Sequence, residues 1–167
     1  MKFNQSQKGF LVAAVGLLVS LGVVFPVQAQ RSLPIEAMLI SQGGLLRVNI
    51  GRGTILEYNS SSGTGVFRDI NSGQIINTIS TFRKTWSAIV YIGDDRIFFY
   101  DRQAGEGEIY TVKQRRGELS GLINRANTYR KTWQQIYSPR PGFLTFVDLN
   151  GDVATYLVDS KGNLKQQ

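Results

Sequence analysis

Cysteine and histidine are both missing from this 167-residue sequence. Without cysteine there is no disulfide, no thiolate nucleophile and no lipid attachment at the leader, so stability has to come from packing. Without histidine the usual general base near neutral pH, the common triads and the imidazole metal ligands disappear together. Carboxylate-pair chemistry survives, but it needs two acids converging on a cleft, and Asp94, Asp95, Asp101 and Glu108 are the available set. On these grounds the chain is expected not to be an enzyme, with no cofactor and no metal. Basic blocks are missing too. The formal charge is +7, yet the cations are scattered from Arg31 to Lys165. That argues against nucleic acid as a partner and leaves either attraction to acidic polysaccharide or an anionic envelope, or a solvated surface.

One long apolar run is present, at the start. Lys2 and Lys8 precede the stretch from Phe10 to Val27, which Gly16, Ser20, Gly22 and Pro26 interrupt, and Val27-Gln28-Ala29 closes it. A charged start, a short apolar helix and small residues before a cut are the parts of an export signal. Residues 1–29 are therefore expected to be a signal peptide cleaved after Ala29. The rival is an uncleaved anchor, but the segment is shorter than the roughly 20 apolar residues a spanning helix needs. Cleavage removes Lys2 and Lys8 and lowers the formal charge from +7 to +5. Nothing later is apolar enough to cross a bilayer, so no stable membrane insertion is expected afterwards, and the destination is secreted or periplasmic. Residues 30–43, with Pro34, read as an N-terminal arm, and residues 44–167 as a β domain able to bury a core.

Self-similarity with a period of roughly 20 to 50 residues decides a fold class, and it surrounds the two tryptophans. Phe82-Arg83-Lys84-Thr85-Trp86 recurs as Tyr129-Arg130-Lys131-Thr132-Trp133. Downstream, Phe98-Phe99-Tyr100-Asp101 corresponds to Thr145-Phe146-Val147-Asp148, and Glu108-Ile109-Tyr110-Thr111-Val112 to Ala154-Thr155-Tyr156-Leu157-Val158. Glycine turns close both units, at Gly117-Glu118-Leu119 and Gly162-Asn163-Leu164. A third copy lies upstream: Val48-Asn49-Ile50-Gly51 matches Val90-Tyr91-Ile92-Gly93, Tyr58-Asn59 matches Tyr100-Asp101, and Gly63-Thr64-Gly65 matches Gly105-Glu106-Gly107. It carries Gly44 where the others carry tryptophan, a divergence common in terminal units.

Within each unit, short aromatic and β-branched runs alternate with glycine, aspartate and asparagine, which is strand and turn chemistry; helical periodicity is missing. The central copy predicts strands over 86–92, 96–100, 108–113 and 118–123. Asn150-Gly151 predicts a turn with positive φ at both residues. The fold class is thus all-β, three tandem repeats of about four antiparallel strands.

The order Thr-Trp-x-x-Ile, an aromatic Tyr-Asp strand end, Gly-x-Gly-Glu-Ile-Tyr and then Gly-x-Leu resembles the blades of tachylectin-like and FG-GAP-like β-propellers of secreted bacterial proteins, over most of residues 44–164. The resemblance implies four-stranded antiparallel blades and, in the lectin branch, sugar sites of aromatic and polar residues in the clefts between blades. The FG-GAP calcium loop wants several aspartates around Asp-x-Asp-Gly; the central copy has Asp94-Asp95 there, so no metal is carried over. Propellers close with about 4 to 8 blades, so three units leave apolar faces to cover. A homo-oligomer completing a ring is one solution. A compact β-trefoil-like fold is the alternative architecture.

Candidate ligand-binding residues follow from the repeat. Trp86 and Trp133 stand at equivalent strand starts, where a tryptophan either stacks on a sugar or anchors its unit's core. Arg83-Lys84 and Arg130-Lys131 put cations in the same loop twice, suited to glycan carboxylate or sulfate, or simply solvated. Tyr100 and Asp101 form a strand end whose aspartate is placed to accept hydrogen bonds from the turn backbone. Asp148-Leu149-Asn150-Gly151-Asp152 opens like a calcium loop, but Val153 replaces the required glycine and no bidentate glutamate follows, so it reads as a β-turn. The expected function is an exported lectin-like module that recognises glycan or cell-envelope polymer at weak repeated sites, with avidity supplying strength. A structural or protein-interaction factor of the envelope is the alternative.

Overall fold

The computed structural model describes the backbone of Ala37–Leu39 and the whole of residues 44–167. The expected signal peptide and the rest of the arm lie outside the described residues. Each repeat is a four-stranded antiparallel meander, a propeller-like blade. The first blade runs through β2 (Leu45–Asn49), β3 (Thr54–Asn59), β4 (Thr64–Asp69) and β5 (Ile75–Ile79). The second comprises β6 (Ala88–Gly93), β7 (Arg96–Asp101), β8 (Glu106–Lys113) and β9 (Glu118–Ala126). The third comprises β10 (Trp133–Tyr137), β11 (Phe143–Asp148), β12 (Val153–Val158) and β13 (Leu164–Gln166). Strand β1 (Ala37–Leu39), from the expected arm, pairs antiparallel with the free edge of β10, Ala37 opposite Tyr137 and Leu39 opposite Gln135.

Apart from β1, strands pair inside their own unit. That excludes the trefoil alternative, whose units would share a common barrel. Local departures from expectation are small. The predicted strand over 86–92 begins at Ala88, and a 3-10 turn occupies Gln114–Arg116. Gly151 has positive φ, but Asn150 does not. The Asp148 carboxylate explains this: its Oδ1 accepts the N–H groups of Asn150 (2.8 Å) and Asp152 (3.1 Å), which holds Asn150 in an ordinary turn.

The blades stack face to face because each strand alternates sides. In β7, Ile97 and Phe99 join a core with first-blade Leu46, Val48, Leu56, Tyr58 and Phe67. Phe98 and Tyr100, pointing the other way, join third-blade Ile136, Leu144 and Phe146. The joint itself is built twice from equivalent residues. The Tyr58 hydroxyl donates to the Arg83 carbonyl at 2.5 Å, and the Tyr100 hydroxyl to the Arg130 carbonyl at 2.6 Å. The Phe82 and Tyr129 N–H groups donate to the Gly63 and Gly105 carbonyls, both at 3.1 Å. Asn77 and Asn124 side chains donate to the Gly117 and Gly162 carbonyls at 3.0 and 2.8 Å. Glycine at position 107 is required by space: a Cβ there would lie 2.5 Å from the Tyr129 ring and 2.6 Å from Phe98.

At the two ends the same positions change character. Ile89 and Phe99 of the second blade, opposite each other across β6 and β7, correspond by register to Arg47 and Glu57 on the free face of the first blade. Arg47 and Arg68 each contact the Glu57 carboxylate at 2.8 Å. The Arg68 hydrogen bond, with help from Arg47, holds that carboxyl below the usual carboxylate range. On the free face of the third blade, Phe98 and Ile109 give way to Thr145 and Thr155, whose hydroxyls lie 3.0 Å apart. Both terminal faces thus replace apolar packing by polar pairing, as end repeats of a stack must.

Gly107→Ala is expected to destabilise the fold by about 1 to 3 kcal/mol through overpacking, measured by chemical denaturation. Burial pushes the Tyr58 hydroxyl above its ordinary pKa and that of Tyr100 up to about 12. A group raised on folding contributes stability below its unfolded pKa, about 10 for tyrosine, and loses it as pH climbs to the folded value. Stability should therefore fall between pH 10 and 12. The Tyr58→Phe, Tyr100→Phe double variant should be less stable near neutral pH and show a shallower alkaline loss.

Candidate functional site

The loops that carry the chain from one blade to the next, β5 to β6 and β9 to β10, each drop an aromatic residue onto the glycines of the preceding blade and then turn into a buried tryptophan. This leaves a cleft beside each joint. The first, of about 340 Å³, is lined by Phe82, Arg83, Trp86, Phe99, Glu108, Tyr110 and Arg125 among others. The second, of about 390 Å³, is lined by Asn124, Tyr129, Arg130, Trp133, Phe146 and Tyr156 among others. They are copies. Trp86–Phe99 and Trp133–Phe146 centroids lie 5.5 and 5.4 Å apart. Phe99–Tyr110 and Phe146–Tyr156 are both edge-on, at 5.6 and 5.5 Å. Arg83 stands over the Trp86 ring at 5.0 Å and Arg130 over Trp133 at 5.4 Å, a cation–π contact worth about 0.5 to 1 kcal/mol at an exposed site.

Their electrostatics differ. In the first cleft the Glu108 side chain is 1% exposed and fully engaged. Its Oε1 is 2.8 Å from Arg83 Nη2 and 2.5 Å from Arg125 Nη2, while its Oε2 accepts the Tyr110 hydroxyl at 2.6 Å. Arg83 also grips Glu106 at 2.5 Å, and that bond raises its pKa, keeping the guanidinium charged. Burial, then the hydrogen bond to Glu108, pushes the Tyr110 hydroxyl up to about 12. In the second cleft the register places Ala154 where Glu108 stands. Burial raises the Tyr129 hydroxyl well above its ordinary value.

The candidates from sequence are distributed as follows. Trp86 and Trp133 are 4% and 3% exposed, set into the blade cores and showing an edge to the clefts. Arg83 and Arg130 lie at the cleft mouths. Lys84 and Lys131 are exposed, with stems passing the turns at Gly63 and Gly105. Tyr100 is buried in the joint, and Asp101 caps its turn by accepting the Ala104 N–H at 3.0 Å. The structure thus brings each arginine together with its tryptophan and keeps Tyr100 and Asp101 out of the cleft lining. Tyr110, Tyr156 and Arg125 go unrecognised in the sequence. The two tyrosines carry a readable signal, their repeat equivalence. Arg125 carries none, because register shifts in the β8–β9 ladder decide that it faces Glu108. A further groove of about 310 Å³ gathers Arg52, Lys113, Arg115 and Arg116 beside Asp95, cations that look scattered along the chain.

No protein-family model matches the sequence, and no curated protein matches it. Solved structures do match the fold. A protein from Lactobacillus plantarum superposes with a TM-score of 0.53 at 9% identity, covering 79% of this chain and 44% of its own. Sqt1 from Saccharomyces cerevisiae gives 0.51 at 10% identity, covering 78% and 35%. A "putative 6-phosphogluconolactonase" from Bacteroides fragilis gives 0.49 at 15% identity, covering 78% and 36%. The chain spans 35 to 44% of the length of these structures. The likeness is to β-propeller-like proteins and concerns the fold alone. One expectation is corrected here: that the chain is not an enzyme. Two solved structures, from Bacteroides fragilis and Bacteroides uniformis, each described as a "putative 6-phosphogluconolactonase", are among the matches, at 15% and 14% identity and partial cover.

Trp86→Ala and Trp133→Ala are each expected to cost about 3 to 5 kcal/mol of stability, read from denaturation midpoints. Glu108→Gln should cost less, about 1 to 3 kcal/mol, since its arginine partners keep access to water.

Proposed function

We propose that the chain is an exported, lectin-like binding module, delivered to the periplasm or the exterior by residues 1–29, that recognises glycan or cell-envelope polymer through its two inter-blade clefts. One observation carries this reading: the same arrangement of tryptophan edge, neighbouring tyrosine and overhanging arginine occurs twice, in open clefts large enough for a sugar ring. Aromatic faces stack on the C–H faces of sugars, and guanidinium groups bind hydroxyl, carboxylate or sulfate oxygens. Two weak sites on one body suit a repeating polymer, which engages both and gains avidity. The resemblance to tachylectin-like blades supports the same choice, as does the mild positive charge for an anionic envelope.

A second reading, a protein-interaction factor of the envelope, is favoured by the free face of the third blade. There Thr155 and Val147 stand near exposed Leu149 and Val153, 70% and 62% accessible, without charge among them. A second copy seated on such a face is how a homo-oligomer would extend the fan.

Binding of the purified protein to envelope polysaccharides, followed by co-sedimentation and by intrinsic tryptophan fluorescence, is expected to be at least about tenfold tighter for polymer than for its monosaccharide. It should weaken in an Arg83→Ala, Arg130→Ala double variant that circular dichroism shows to be folded at the temperature of the measurement. Failure to bind any envelope polysaccharide, together with cross-linking to one protein partner in native extract, would establish the second reading in its place.

A further inference from the structure

The two clefts are one device made twice, and the substitution that most changes their charge is Ala154 for Glu108. Phe99 pairs across its ladder with Glu108, and Phe146, the equivalent of Phe99, pairs with Ala154. In the first cleft the buried Glu108 carboxylate sits beneath Arg83 and is held by that guanidinium, by Arg125 and by the Tyr110 hydroxyl. In the second, the counterparts Arg130 and Tyr156 are present, the carboxylate is absent, and the cleft is larger, about 390 Å³ against 340 Å³. Asp152 takes the place of Glu106, but no carboxylate among the described residues is within ion-pair distance of Arg130, and no hydrogen bond engages its guanidinium or the Tyr156 hydroxyl.

We infer that the cleft between the second and third blades binds the carboxylate of a ligand, in the position that the protein's own Glu108 fills in the cleft before it. This rests on the glycan reading for the rest of the ligand, and so names its class: a uronic-acid residue within an acidic polysaccharide. The sugar ring lies against Tyr156 and the bordering edge of Trp133, and its carboxylate meets Arg130 with the Tyr156 hydroxyl donating to it. A charged donor on a carboxylate makes a bond about twice as strong as a neutral pair. In the first cleft the protein's own Glu106 and Glu108 engage Arg83, so the open volume that remains there offers a ligand neutral contacts. The two clefts divide the work, with acid-selective capture at the second and neutral contact at the first.

The experiment titrates the full protein with a glucuronate-containing oligosaccharide and with the same oligosaccharide after reduction of its carboxyl groups to alcohols. Heat and tryptophan fluorescence are the readouts, at low and at physiological salt. The acidic form is expected to bind at least about tenfold more tightly, and to lose that margin as salt rises. Ala154→Glu, which places the first cleft's carboxylate in the second, should abolish the margin. Arg130→Gln, at an exposed position, should do the same while the protein stays folded with at most a small drop in melting temperature, and it decides the matter if Ala154→Glu does not fold. Equal binding of the acidic and reduced forms, or an acid margin that survives Arg130→Gln, overturns the carboxylate site and leaves the glycan reading standing. Binding of neither form overturns both.

Discussion

The whole arrangement depends on an aromatic ring lying directly on a backbone that has no side chain. Phe82 rests on Gly65 and Tyr129 on Gly107, so closely that a single methyl group would collide with the ring. That contact lets two sheets approach at a corner where side chains would otherwise hold them apart, and it aligns the neighbouring hydrogen bonds. The tyrosine hydroxyls then reach the carbonyls of Arg83 and Arg130. Because those carbonyls are fixed, the arginine side chains project over the tryptophans, and the clefts acquire their shape as a by-product of the joint.

The ends of the stack show what the middle would be without partners. Where the second blade has Ile89 and Phe99, the first has Arg47 and Glu57 in an ion triad with Arg68; where it has Phe98 and Ile109, the third has Thr145 and Thr155. Hydrophobic burial is gained at two joints and is not offered a third time in the same form. The Glu57 triad is half-solvated and contributes modestly, as surface ion pairs do. Its main effect is on what the face refuses: an apolar blade face meeting it would strand a carboxylate and two guanidiniums away from water.

Much of this was legible in the sequence, and for a physical reason. Repetition forces equivalent residues into equivalent places, so the all-β class, the three units and the glycine turns follow from matching Trp86 with Trp133 and Gly105 with Gly63. Strand alternation then assigns Phe98 and Phe99 to opposite faces. Which tryptophan edge is exposed was not legible, since both sit almost wholly in the core while still bordering a cleft. The pairing of Arg125 with Glu108 escaped as well, because two shifts in one ladder move a side chain from one neighbour to another without any mark in composition. The scattering of basic residues misleads in the same way: Arg52 and Arg116 are distant along the chain and share one groove.

The two joints are interchangeable halves of a single fitting. The second blade presents a socket on one side, Tyr100 with Gly105 and Gly107, and a plug on the other, Phe82 with Trp86; the flanking blades supply the complements. A duplication of the middle unit would therefore carry the tyrosine, glycine and aromatic parts of the joint on both of its sides, lengthening the array by internal copying. Growth at either terminus would require new surface chemistry at once, so lineages that gain or lose units of this kind should do so from the interior.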